Sequence, residues 1–445
     1  MLAHCAQLLA LSSLLSLPSL IEAFLGPAPG ARSPSTGRDR TPAASCVMSD
    51  QQQQSTCRSS RLLTDAPTTL ISEAGREARG RPDQGLEDIV PLVAALEAAC
   101  KGISMLVRRA AIAGATGVAS GGGQNAGGDE QKKLDVVSND LLKGFLARSG
   151  VVRVLASEEV CVLLRSLDGT VLHGRGETLV LSQDTETLRK SLGYGACKNS
   201  TCPEAEEDEP VVVDGNDDAR YVVVFDPLDG SSNIDASIPT GTIFGVYLAD
   251  SSKSARENTL QPGNKLVAGG YCLYSSSTVM VISLGAGTHV FQLDRDLGEF
   301  VLTKHSIKMP ARGRSYSLNE AREPDWPDGL KQYISDMKTG AGQSGERYDL
   351  VYVCSLVADV HYTLFEGGVA MNPRSHLRLV YEGNPMGWVV EQAGGRASTG
   401  AAAMLDKEPS DIHERIPTFL GSEDDVMELE SYGDVQQLGN KKYAA

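Results

Sequence analysis

Apolar residues recur at helical spacing over residues 86–111 (Leu86, Ile89, Val90, Leu92, Val93, Leu96, Ile103, Leu106, Val107), which predicts one long amphipathic helix. Pro91 fits such a helix only in its first turn, where a missing N–H costs nothing. Residues 151–156 and 221–225 (YVVVF) are β-branched and apolar without alternation, as strands covered on both faces are. Strand-like runs follow at 243–248, 278–284, 289–293 and 377–381, and helix-like runs at 350–365 and 386–393. Strands and helices mixed in this way predict an α/β sandwich. No internal repeat interrupts the pattern.

Toward the start, residues 8–25 form an apolar run broken by Pro18 and Glu22, too short and too interrupted for a membrane span. It reads as a signal-peptide core, although only His4 precedes it where a basic region is expected. Residues 26–61 are rich in Ser, Arg, Pro and Gln and poor in acids, the composition of a transit segment. A plain secretory signal is the alternative. The Glu22-Ala23-Phe24 junction resembles the signal boundary of algae whose plastids came by secondary endosymbiosis. The Gly-rich stretch 114–128 lacks the Gly-Lys-Ser/Thr ending of a nucleotide phosphate loop and reads as a linker.

The formal net charge of -16 excludes a nucleic-acid binder, which needs clustered cations to displace counterions from phosphates. An acidic protein acting on a phosphorylated substrate must recruit cations of its own. Nine cysteines show no framework spacing. Cys5, Cys46 and Cys57 lie in the N-terminal segment, and the other six suit a reducing compartment.

The densest candidate chemistry is FDPLDGSSNID, Phe225 to Asp235. Asp226 and Asp229 stand immediately after a predicted buried strand, with Pro227 expected to stop pairing and Gly230 to permit a tight turn. Two carboxylates aimed at one point suit magnesium, which takes oxygen ligands and bridges protein to phosphate. The N–H groups of Gly230, Ser231 and Ser232 could form an anion nest. A simple capped turn explains the same residues without chemistry. Two further acid clusters tip the balance: Ser157-Glu158-Glu159 and Tyr381-Glu382-Gly383-Asn384-Pro385 also sit where predicted strands end. Acids there are costly unless a cation neutralises them.

Over residues 68–422 the chain resembles the fructose-1,6-bisphosphatase family. The resemblance is carried by FDPLDGSSNIDASIPTGTIFGVY, QKKLDVVSND, GYCLYSSS, YSLNE, SLVADVH, LRLVYEGNP and IHERIP, in order. It implies a layered αβαβα sandwich and removal of the 1-phosphate of fructose 1,6-bisphosphate. Residues 61–268, with an insert at 161–219, would form the N-terminal part and 269–445 the C-terminal part, after a targeting segment at 1–60. It implies two or three magnesium ions, replaceable by manganese, on Glu158, Glu159, Asp226, the Leu228 carbonyl, Asp229 and Glu382. Asp129 and Asp135 would belong to a closing loop, with Asp135 and Glu159 activating water. The 1-phosphate would lie on Asp229, Gly230, Ser231 and Ser232, and Asn319, Tyr352, Ser355 and Arg378 would line the sugar and far phosphate.

The chain departs from the family pattern at the far-phosphate pocket, where Val351, Asn372 and His376 replace an expected Arg, Tyr and Lys. Arg322, Arg347 and Arg374 are the nearby cations. An altered substrate preference follows as an expectation, with sedoheptulose 1,7-bisphosphate or another sugar bisphosphate as the alternative substrate. A catalytically weak regulatory homologue is the alternative outside enzymes. Val90 stands where the family's AMP site has a Thr, so AMP sensitivity is not expected. The insert holds Cys161, Cys197 and Cys202, and Cys197 with Cys202 form a candidate thioredoxin-reducible switch beside the simpler reading of a solvated insert. The resemblance also implies a homo-oligomer, dimer or tetramer, while the N-terminal signal and transit segment imply a plastid location, with no membrane in the mature form. A secreted or cytoplasmic location is the alternative.

Overall fold

The computed structural model describes residues 67–110, 112, 116–117, 132–159, 211–213 and 218–437. Asp129, the targeting segment and all three insert cysteines lie outside the described residues. Three helices open the described chain: α1 (Leu70–Gly80), α2 (Ile89–Arg109) and α3 (Lys133–Arg148). Thr69 caps α1 in a capping box with Ser72. Pro91 falls in the first turn of α2, as its missing N–H requires. This helix is long and apolar enough to cross a membrane by length and composition. It instead buries Ile89, Leu92, Val93, Leu96, Cys100 and Ile103 in the protein core.

An eight-stranded sheet takes the order β2-β1-β3-β4-β5-β6-β7-β8. Its strands are β1 (Val152–Ser157), β2 (Val211–Val212), β3 (Tyr221–Asp229), β4 (Thr240–Leu248), β5 (Ala268–Tyr274), β6 (Thr278–Ser283), β7 (Thr288–Asp294) and β8 (Glu299–Ile307). β1 and β3 run parallel, and the other pairs are antiparallel. The seam expected at 268–269 falls at the start of β5, inside this sheet. Alternate side chains of β3 serve two cores: Tyr221, Val223 and Phe225 pack under α1–α3, and Val222 and Val224 face the other way.

A five-stranded sheet follows in the order β10-β9-β11-β13-β12. Its members are β9 (Ser315–Ser317), β10 (Asp349–Leu350), β11 (Val369–Arg378), β12 (Arg396–Ser398) and β13 (Arg415–Gly421). Two helices, α6 (Leu356–Glu366) and α7 (Asn384–Gln392), lie between the sheets. Val357, Val360, Leu364, Met386 and Val389 bind Ile243 and Tyr271 of the large sheet to Ala370 and Leu420 of the small one. Beyond the small sheet, α5 (Asp328–Thr339) and α8 (Glu423–Ser431) bury Leu330, Ile334, Val426 and Leu429 on Val369 and Phe419. The layers are therefore αβαβα, with a short α4 (Ala255–Thr259) beside the large sheet. Glycine lets α7 approach: a Cβ on Gly269 would stand 2.8 Å from the Trp388 ring, and one on Gly245 3.0 Å from Pro385.

Three local expectations are corrected. The expected strand over 377–381 ends at Arg378, and Leu379–Gly383 form a π-helical turn. The cause is Glu382, whose buried carboxylate bends back to accept the Arg378 N–H. The expected helix over 350–365 begins only at Leu356, because Leu350 belongs to β10 and the Ser355 side chain caps the helix. β3 does not stop at Phe225: it runs through both aspartates to Asp229, with a bulge where Asp226 faces Ile243 and Asp229 faces Gly241. Pro227 sits in that bulge, where no ladder N–H is needed.

Candidate active site

Three elements converge where the two sheets meet across α6 and α7. β1 delivers Glu158 and Glu159 just past its last residue, the bulged end of β3 delivers Asp226 and Asp229, and the π-helical turn delivers Glu382. Carboxylate oxygens of Glu158, Asp226 and Glu382 all lie within 4.8 Å of one another, and all three residues are buried. Unfilled by a cation, such a group is strongly unfavourable, and the proton affinities record it. Burial and the Glu158 charge push the Asp226 carboxyl well above the usual carboxylate range. Burial raises Glu382 to about 8, and the charges of Glu158 and Asp229 add to it.

The adjacent glutamates divide. Glu158 belongs to the triple carboxylate cluster, whereas the charge of Glu159 acts on Asp135. Asp135, in the first turn of α3, is raised to about 8 by burial and then by Glu159. Its Oδ2 accepts the Lys132 N–H at 2.7 Å and the Ser231 hydroxyl at 3.0 Å. Its Oδ1 is buried and makes no hydrogen bond among the described residues, and the same holds for Asp226 Oδ2. The other Asp226 oxygen accepts the Leu228 N–H at 2.9 Å, which folds the bulge around the acid. Asp229 accepts the Val357 N–H at 3.3 Å at the start of α6, and burial raises it to about 7.

Beside these acids Gly230 adopts a left-handed conformation (φ 73°), which only glycine takes without cost, and starts a 3-10 turn over Ser231–Ala236. The turn leaves its first N–H groups outside the helical ladder. Asn233 ties the turn to the opposite loop by donating to the Cys354 carbonyl at 2.8 Å. Ser355 caps α6, with its Oγ accepting the Ala358 N–H at 3.4 Å, and lies against Gly230. Tyr352 is partly exposed, with its hydroxyl 3.1 Å from Cys354 Sγ and a hydrogen-bond contact to Asn319. Asn319 itself caps the turn Glu320–Asp325.

Arg378 lies among the carboxylates rather than beyond them. Its Nη2 is 2.8 Å from Glu158 and its Nη1 3.7 Å from Glu382, with only 6 % of the side chain exposed. It is the guanidinium that partly offsets the acid cluster. Arg378→Met should destabilise the magnesium-free chain by about 3–5 kcal/mol, because it strands buried carboxylates. Urea unfolding reads this directly, and a loss below about 1 kcal/mol would show that the pair is not structural.

Sequence reasoning missed the residues that hold the site open. Asp359 accepts the N–H groups of Val353 at 2.8 Å and Ser355 at 3.3 Å, which shapes the loop facing Gly230. Thr242 donates to the Pro227 carbonyl at 2.8 Å and meets the Tyr274 hydroxyl, supporting the bulge from β4 and β5. Ser157 donates to Asn139 at 2.9 Å, joining α3 to the Glu158–Glu159 corner. For Asp359 the signal was present as an acid in the first turn after a Ser cap. The Thr242–Pro227 pairing spans strands and has no local signature.

The donor set fits a hard divalent cation: oxygen ligands only, buried, carrying excess negative charge, with Asp226 Oδ2 lacking a hydrogen bond among the described residues. Comparisons with known proteins agree with the geometry. The profile described as Fructose-1-6-bisphosphatase, N-terminal domain, matches residues 70–170 and 179–305, and that of the C-terminal domain matches 309–434. The chain is 40% identical over 378 residues to a chloroplastic fructose-1,6-bisphosphatase of Brassica napus, covering 80% of this chain and 79% of that one. It is 38% identical over 386 residues to fructose-1,6-bisphosphatase 1 of Bos taurus, covering 85% and 96%. Among solved structures, Leishmania major fructose-1,6-bisphosphatase in holo form is similar with a TM-score of 0.67 and 31% identity, over 83% of this chain and all of that one. With both domain profiles matched in order over most of its length, and with the acid cluster at the place where those domains meet, this chain belongs to the fructose-1,6-bisphosphatase family.

Proposed function

We propose that this site hydrolyses the 1-phosphate of fructose 1,6-bisphosphate in a magnesium-dependent reaction. The observation that carries the reading is the buried Glu158–Asp226–Glu382 cluster beside the turn at Gly230, Ser231 and Ser232. Magnesium would be held by these three acids with Glu159, Asp229 and the Leu228 carbonyl, in two or three positions that manganese can also fill. When bound, the metal supplies charge neutralisation at the phosphoryl group and a more acidic water. The protein's own residues do the rest. Asp135 has one oxygen held by Lys132 and Ser231 and the other without a hydrogen bond among the described residues, so Oδ1 is the atom placed to take a proton from water, with Glu159 alongside. Asp129 would act with Asp135 and lies outside the described residues. Ser231 links that base to the phosphate turn, so the two arrive in register. Asn319, Tyr352 and Ser355 would border the sugar, and Arg378 would keep the acids from repelling one another until the cation and phosphate arrive.

Phosphate release from fructose 1,6-bisphosphate, sedoheptulose 1,7-bisphosphate and fructose 6-phosphate, each with and without magnesium, tests the reading. Magnesium-dependent release from the fructose bisphosphate and little from the monophosphate is expected. Equal turnover of the monophosphate, or turnover with chelator present, would sink it. Val351, Asn372 and His376 would shift the preference toward other bisphosphates, which the sedoheptulose arm measures. A plastid location reached through the segment at 1–60, a dimer or tetramer, and reduction of Cys197 and Cys202 by thioredoxin belong to the same reading. The chloroplastic relatives support the first of these. Activity with and without a dithiol, in the chain and in Cys197→Ser, decides the last.

A further inference from the structure

A second cluster of metal-ligating side chains lies at the other end of the large sheet. Ligand atoms of Glu73, His289 and His305 lie within 4.8 Å of one another, and Glu77 Oε1 stands 3.0 Å from His289 Nε2. β7 is four strand positions from β3, about 19 Å at 4.8 Å per strand, so this cluster is separate from the carboxylates described above. It joins α1 to the sheet edge, where the Leu302 N–H also donates to the Thr68 carbonyl at 2.8 Å.

We propose that Glu73, Glu77, His289 and His305 form a structural site for a tetrahedral divalent metal of the zinc class. Four ligands at zinc's bond lengths of about 2.0–2.1 Å would lie about 3.3 Å apart. Two of the six pairs stand near that spacing, 3.0 Å for Glu77–His289 and 3.4 Å for Glu73–His305, and Glu73, His289 and His305 share ligand atoms within 4.8 Å, with Glu77 joining them through His289. Glu77 and His289 are 6 % and 2 % exposed, and neither Glu77 Oε1 nor His289 Nε2 completes a hydrogen bond among the described residues. The two atoms face each other at ion-pair distance but outside hydrogen-bond geometry, and a cation between them would satisfy both.

The second oxygens of both acids are already held. Glu73 Oε2 accepts from Arg76 Nε at 2.9 Å, and Glu77 Oε2 from Arg81 Nη2 at 2.5 Å, so Glu77 Oε1 is left for the cluster while Glu73 Oε1 reaches it through Arg76 Nη2. Outer contacts of this kind orient metal ligands. Arg76 Nη2 presently lies 3.1 Å from His305 Nε2 and also bonds Glu73 Oε1, acting as the resident cation. Its side chain is 59 % exposed and can swing out while keeping Oε2. His289 Nδ1 accepts the Ser306 N–H at 3.0 Å, which places the imidazole proton on Nε2. Metal binding at Nε2 moves that proton to Nδ1, which then needs an acceptor. Turning over the 305–306 peptide provides one, the His305 carbonyl. The same rotation takes Ser306 from its left-handed φ of 46° to the extended region that a strand prefers.

The test is a zinc titration of the full chain, stripped with chelator and held in excess magnesium, followed by calorimetry, by cobalt absorption and by thermal melting. One zinc per chain is expected, with a tetrahedral cobalt spectrum and a raised melting temperature that persist in Asp226→Asn. His305→Gln, at an exposed position, and Glu77→Gln should each weaken zinc by about tenfold or more. Arg76→Gln should bind at least as tightly as the parent chain. Zinc lost in Asp226→Asn but retained in His305→Gln would place the metal in the carboxylate site and overturn the proposal, as would the absence of any zinc uptake above magnesium. Neither outcome bears on whether the chain hydrolyses a sugar bisphosphate, so the two readings fail independently.

Discussion

Asp226→Asn is expected to lower magnesium-dependent phosphate release by about a thousandfold or more and, at the same time, to stabilise the magnesium-free chain. Asp226 is 1 % exposed, and one of its oxygens has no hydrogen-bond partner among the described residues. Asparagine keeps the shape and can still accept the Leu228 N–H, but spares the metal-free chain the cost of protonating or charging an acid beside Glu158, Asp229 and Glu382. The relief should be worth about 1–2 kcal/mol, a stability held back by function. Melting curves with and without magnesium separate the two effects. The parent chain should gain stability on adding magnesium, and the variant should gain much less. A variant that is less stable than the parent without magnesium would mean that the acid cluster is not under electrostatic strain.

The second large effect is on pH. Burial raises Asp135 to about 8, Glu382 to about 8 and Asp229 to about 7, whereas carboxyls of an unfolded chain titrate near 4. Between about pH 4 and pH 8 the metal-free folded chain therefore holds protons that the unfolded chain has released. The stability from these groups is fully present below about pH 4 and is lost as pH rises through about 7–8. Metal-free stability should fall by about 1.4 kcal/mol per pH unit for each proton held. Magnesium should flatten the slope, since the metal displaces those protons and its binding tightens as pH rises. Denaturant titrations at pH 5, 6 and 7 measure the slope. A flat metal-free profile, or one that rises with pH, would contradict the assignment.

The same electrostatic strain explains how the site is assembled. Every acid in it comes from the end or bulge of a well-packed element: β1 and β3 are buried, and α3 and α6 are pinned by side-chain caps and by Asp359. Strong packing behind the site tolerates unfavourable charge in front of it. The proposed zinc cluster follows the opposite logic, because it clips an N-terminal helix to the edge of the large sheet, where Leu302 already bonds to Thr68.

Much of the site was legible locally. Apolar β-branched runs marked β1, β3 and β4, and acids at the ends of such runs are too costly to be accidental. Helical periodicity found α2, and the αβαβα layering emerged as the resemblance implied. Other features could not be read along the chain. Residues 377–381 have the composition of a strand, yet the buried Glu382 carboxylate captures the Arg378 N–H and winds the segment into a π-helical turn. Adjacent Glu158 and Glu159 look equivalent in sequence, but in the bend after β1 Glu158 joins the cluster with Asp226 and Glu382, while Glu159 is the acid that acts most on Asp135. That Arg378 lies against Glu158 likewise depends on the fold.

The sequence by itself determined which residues are acidic, where the strands and helices that carry them lie, and that an anionic chain with such acids needs a cation. Those properties depend on short-range periodicity and on the cost of burying charge, and both are local. Only the tertiary structure decided which acids come within 4.8 Å of one another, which Asp135 oxygen has no hydrogen-bond partner among the described residues, and that Glu73 and Glu77 meet His289 and His305 some two hundred residues further on. Those properties depend on distances between elements far apart in the chain, which sheet order and helix packing alone set.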